Sequence, residues 1–162
     1  MVERFEVVLT ADQEIDPIPT KAFGEGTVYW SEETGLLLYK LDVDGIDFTS
    51  VGGVGKGTSA TGDDVILFHF HNAPRGEAGP VVFDATNTPD PFDLVAFETR
   101  DGSWVVGGVV DTGEYPALVA QLRDAEDAKP GEDVAIYFNI HTVQAPDGEI
   151  RGQWVAAEDW HF

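Results

Sequence analysis

Apolar and polar positions alternate over short stretches along most of this chain. In Ile66-Leu67-Phe68-His69-Phe70-His71-Asn72, and again in Ile136-Tyr137-Phe138-Asn139-Ile140-His141-Thr142, every second residue is bulky and apolar. Successive side chains on a strand go to opposite faces. Ile66, Phe68 and Phe70 therefore share one face, and Leu67, His69 and His71 the other. The second run divides in the same way, Ile136, Phe138 and Ile140 against Tyr137, Asn139 and His141. The same alternation predicts an opening strand over residues 4–11, with Phe5, Val7 and Leu9 on one face. It predicts hairpins from residues 22–31 and 36–43 about Glu32-Glu33-Thr34-Gly35, and from 94–99 and 104–110 about Asp101-Gly102.

A last hairpin joins residues 134–143 to 149–156 through Gln144-Ala145-Pro146-Asp147-Gly148. A turn centred on Pro146 sets His141 against Arg151 and Asn139 against Gln153. Ile150 and Trp154 then join Phe138 and Ile140 in the core, while Glu149, Arg151 and Gln153 join His141 and Asn139 on the polar side. Val81-Val82-Phe83 is a further short apolar run. The period changes once, over residues 116–127, where Leu118, Leu122 and Ala125 recur at helical spacing. Pro116 suits the first turn of that helix, and Lys129-Pro130-Gly131 ends it. The chain is expected to be all-β with one short helix. Trp30, Trp104 and Trp154 are read as core.

Composition narrows the function classes. A chain of 162 residues with 43% hydrophobic residues and no internal linker or repeat reads as a single folded domain, residues 1–162. Its formal net charge is −21, which disfavours nucleic acid and anionic membrane surfaces and attracts cationic partners or divalent ions, although acids spread along the chain in this way read first as a solvated acidic surface. There is no cysteine, so disulfides and thiolate metal sites are excluded. No run is long enough to span a bilayer, and Met1-Val2-Glu3-Arg4-Phe5-Glu6 has no apolar signal core. The Gly-rich stretch 51–64 lacks the Gly-Lys-Ser/Thr ending of a phosphate loop and reads as a flexible entry to the His69 strand. No nucleophile–base motif is present. His161, beside Trp160, reads as an exposed terminal residue.

The chemistry that remains lies in the histidines. His69 and His71, two apart on one strand face, can ligate one ion, and His141 can complete three nitrogen ligands. Three imidazoles suit Zn(II) or Cu(II), with Asp84, Glu149 or water as the fourth ligand. Asn139, Glu149 and Gln153 are candidates for the acceptor that a metal-bound imidazole needs on its other nitrogen. Arg151 reads as a cross-strand partner of Glu149. The competing reading makes all three histidines structural hydrogen-bonding residues. Deciding between them requires the two histidine strands to be neighbours in one sheet.

Three motifs resemble the CHRD domain, a module named for its occurrence in chordin. They are Ile18-Pro19-Thr20-Lys21-Ala22-Phe23-Gly24, then His69-Phe70-His71-Asn72-Ala73 with Gly76 and Gly79-Pro80-Val81-Val82, and Tyr137 to Thr142 continuing through Pro146-Asp147-Gly148-Glu149-Ile150-Arg151-Gly152-Gln153. The resemblance implies a Greek-key sandwich or barrel, similar in architecture to copper–zinc superoxide dismutase. It implies a binding or interaction module with an unknown protein or a metal ion as partner, in an extracellular or periplasmic setting. The alternative it raises is a copper-dependent redox enzyme in which His69, His71 and His141 hold the cycling ion.

Overall fold

The alternating stretches become nine strands in a computed structural model that describes residues 1–159; His161 lies outside the described residues. The strands are β1 (Glu3–Leu9), β2 (Phe23–Ser31), β3 (Leu36–Asp44), β4 (Val65–His71), β5 (Val81–Asp84), β6 (Val95–Glu98), β7 (Trp104–Asp111), β8 (Asp133–Thr142) and β9 (Ile150–Ala156). The α-helix α1 spans Pro116–Ala125. All nine strands form one sheet in the order β5-β4-β8-β9-β1-β2-β3-β7-β6, every ladder antiparallel. The chain is all-β, as the alternation predicts, and the sheet is curled into a half-barrel.

The curl follows from aromatic packing. β3 and β4 are five places apart in the strand order. On a flat sheet they would be about 24 Å apart, at about 4.8 Å per strand. Yet Tyr39 of β3 meets Phe70 of β4 with ring centroids 5.4 Å apart, and Phe68 and Phe138 at 5.8 Å each. The sheet therefore wraps its apolar face around one core, which takes in Trp30, Trp104 and Trp154. The helix buries Leu118, Leu122 and Ala125 and packs against β5 and β8. Tyr115, at its N-terminus, meets Phe83 edge-on at 4.7 Å.

Three expectations are corrected. The β4 pairing shifts register between Val65 and Leu67, a bulge that gives the core position to Val65 and turns Ile66 out to solvent. In the last hairpin, Asn139 pairs with Arg151 and Tyr137 with Gln153, so the midpoint lies at Ala145 rather than Pro146. A shift by an even number of partners keeps every side chain on its predicted face. The Gly-rich stretch is tied down rather than loose. Asp47 accepts from the backbone N–H groups of Thr49 and Thr58 at 2.9 and 2.8 Å, and Glu98 from those of Lys56 and Gly57 at 2.6 and 2.9 Å.

Candidate metal centre

β4 and β8 are neighbours, which is the condition left open by the sequence. Across their ladder His69 stands opposite Asn139, His71 opposite Tyr137 and Leu67 opposite His141. Phe68, Phe70, Phe138 and Ile140 point into the core, so the imidazoles gather on the outer face. Ring centroids are 5.4 Å apart for His69 and His71, 5.0 Å for His69 and His141, and 6.4 Å for His71 and His141. One ring nitrogen from each lies within 4.8 Å of the other two.

The protonation pattern follows from the partners. Nδ1 of His71 lies 2.8 Å from the carbonyl oxygen of Gly79, and Nδ1 of His141 lies 2.8 Å from that of Pro146. A carbonyl oxygen only accepts, so both Nδ1 atoms carry the proton and both Nε2 atoms present a lone pair. Neither Nε2 is reached by solvent, and neither has a hydrogen-bond partner. Burial pushes His71 down to about 4 and His141 down in the same direction, so both rings are neutral near pH 7. His69 is held differently. Its Nε2 lies 3.3 Å from Oδ2 of Asp84, its partner on β5.

The outer face is not open to water, because three segments roof it. Residues 72–80 supply the Gly79 carbonyl, and the Gly79 N–H donates to the Tyr137 hydroxyl at 3.2 Å. A Cβ on Gly79 would stand 1.8 Å from the Asn72 carbonyl oxygen, so only glycine lets the loop fold back this tightly. The turn after β8 supplies the Pro146 carbonyl. The short 3-10 turn Ala11–Gln13 and the following Glu14 cover the β9 side.

The remaining predicted polar residues serve this roof and make no hydrogen bond to the imidazoles. Arg151 is buried and donates to the carbonyls of Glu77 and Pro74 at 2.7 and 3.0 Å and to Gln153 at 2.9 Å. It is thus committed to the 72–80 loop rather than to Glu149. Gln153 donates to the carbonyls of Ala73 and Val134 at 2.9 and 2.7 Å. Glu149 accepts from Thr20, Thr142 and Gln144 at 2.9, 2.7 and 2.7 Å, an anchor for the turn and for the chain before β2. Asn139 faces Glu14. The acceptors that orient His71 and His141 are instead main-chain carbonyls, for which side-chain identity gives no signal.

Two features were not singled out by the sequence. His71 stacks on Tyr137 at 4.7 Å with ring planes 3° apart, and the Arg151 guanidinium carbon lies 3.5 Å from the same ring's centroid. β4 and β9 flank β8 on opposite sides, so this column ties a site imidazole to the roof's main anchor. Glu14 is buried, and burial pushes its carboxyl up to about 7 against the opposing pull of Arg151 and Asn139. No helix among the described residues is long and apolar enough to cross a membrane.

Comparison with known proteins gives one match. The family model of the CHRD domain aligns with residues 5–154. No curated protein and no solved structure matches.

Proposed function

The chain belongs to the CHRD domain family, and we propose that this member is a binding module that holds a divalent transition-metal ion, Zn(II) or Cu(II), through His69, His71 and His141. The observation that carries this reading is the pair of buried Nε2 lone pairs on His71 and His141, which have no donor and converge with His69. Burying a polar atom without a partner costs free energy. A cation answers that cost for several nitrogens at once, and neutral imidazole is the form that ligates. Carbonyls on the opposite ring nitrogens fix tautomer and orientation, as metal-ligating histidines require. The surplus of acids over bases, 30 against 9, favours accumulation of cations at the surface.

Isothermal titration of Zn(II) and Cu(II) into wild type and a His69→Ala/His141→Ala variant tests the proposal. Wild type is expected to bind a single ion tightly. The variant is expected to bind more than about 100-fold more weakly, beyond what the loss of an outer-shell partner alone produces. Equal binding by the two proteins would return all three histidines to a hydrogen-bonding role.

A further inference from the structure

The fourth position of the site is the open question, and Asp84 lies next to it. Its carboxylate is divided between two tasks. Oδ1 accepts from the Thr86 backbone N–H at 3.0 Å and from the Thr86 hydroxyl at 2.6 Å. Oδ2 makes neither contact and stands 3.3 Å from Nε2 of His69. That separation is long for a charge-assisted hydrogen bond, which runs at about 2.7–2.9 Å. It matches two ligands on one ion, since Zn–N and Zn–O bonds of about 2.0–2.1 Å at a tetrahedral angle place the donor atoms about 3.3–3.4 Å apart. Glu149, the other acid considered, is fully occupied by Thr20, Thr142 and Gln144.

We infer that Oδ2 of Asp84, which stands beside His69 and outside the set of three nitrogens that lie within 4.8 Å of one another, closes on the ion as the fourth ligand and completes an N3O shell. The inference rests on the three-histidine reading and adds a consequence to it. A shell of four protein ligands is the mark of a structural site, whereas catalytic sites leave one position open. The ion would then clamp β4, β5 and β8 together at one end of the sheet, with no position for a substrate. The side chains of His69 and Asp84 are 12% and 27% exposed, while the other two Nε2 atoms are sealed. The ion therefore enters from the β5 edge.

Cobalt(II) loading reads the coordination directly. Wild type and Asp84→Ala are each loaded with Co(II), their visible spectra are recorded, and azide is added. Wild type is expected to show the intense bands of four-coordinate cobalt and no response to azide. Asp84→Ala is expected to bind zinc at least about 10-fold more weakly, to show altered bands, and to respond to azide at the vacated position. An azide-sensitive wild type, or a variant with unchanged bands and affinity, would overturn the role of Asp84 while leaving the histidine site standing. No cobalt or zinc binding by wild type would retire both. Asp84→Asn, which keeps the Thr86 contacts, separates ligand loss from collapse of the β5 edge: weakened zinc affinity with unchanged thermal stability of the metal-free protein assigns the effect to the ligand.

Discussion

On β3 the outward residues Leu36, Leu38, Lys40, Asp42 and Asp44 are all exposed, whereas on β8 the outward positions Asp133 and Ala135 are exposed but Tyr137, Asn139 and His141, further along, are buried. Both strands belong to the same sheet and line the same core with their inward residues. An antiparallel sheet commonly keeps one face wet, and β3 follows that pattern. β8 departs from it because three segments fold over its outer face, held by Arg151, Gln153, Glu149 and the tight turn at Gly79. Burial on β3 is decided by the strand's own alternation. Burial on β8 is decided by loops distant in sequence, and this second enclosure buries polar side chains.

The comparison can be broken most directly at Arg151. Arg151→Met leaves the carbonyls of Pro74 and Glu77 without their donor and unfastens the roof. Urea unfolding is expected to show a loss of about 3 kcal/mol, since a hydrogen bond made by a charged donor contributes about 1.5–3 kcal/mol and Arg151 makes several. A loss below 1 kcal/mol would mean that the roof is held by something else.

Glu14 gives a smaller effect with a defined pH signature. The groups facing it are Arg151 and Asn139, with the turn at Gly148 against its carboxylate. Its folded pKa is raised to about 7 from 4.5, so the fold favours the protonated form. The contribution of this group is fully present below about pH 4.5 and is lost as pH rises through about 7. Glu14→Gln is therefore expected to be more stable than wild type at pH 8, by on the order of 2 kcal/mol, with the difference shrinking toward pH 5. A constant difference between wild type and variant across that window would remove Glu14 from the account.

The smallest effect belongs to the open face. Leu38→Thr on β3 is expected to shift unfolding by no more than about 0.5 kcal/mol, because Leu38 is 44% exposed and threonine suits a strand. A loss of several kcal/mol there would show that β3 is covered in solution, and the contrast with β8 would fail.

Much of the site could be read from alternation alone. The period of two put His69 and His71 opposite Phe68 and Phe70, and His141 opposite Phe138 and Ile140, on the faces they occupy. The helix and the hairpin turns at Thr34-Gly35 and Asp101-Gly102 were equally legible, because they depend on local residue choices. What could not be read depends on partners remote in the chain. Ile66 leaves the core because of a bulge against β8, which no local pattern announces. Asn139 rather than His141 meets Arg151 because the turn closes early, Thr142 and Ala145 exchanging backbone hydrogen bonds at 3.2 and 3.1 Å, so the β9 ladder starts with Ile140 opposite Ile150. The acceptors for His71 and His141 are peptide carbonyls, which every residue possesses, so their assignment required the folded loops.

The strand order also bears on how the chain assembles as it is synthesised. β8 and β9, last of these nine strands in chain order, lie between the β5-β4 pair and the β1-β2-β3-β7-β6 array. Without them, the other seven strands fall into two separate pieces of the sheet order, each with an unpaired border, β4 on one and β1 on the other. Such borders are templates for pairing with other chains. Joining them requires contacts across long stretches of sequence, a topology that folds slowly. The insertion of the final hairpin closes both borders and brings His141 to His69 and His71 in the same event, so the three imidazoles meet only in the complete sheet.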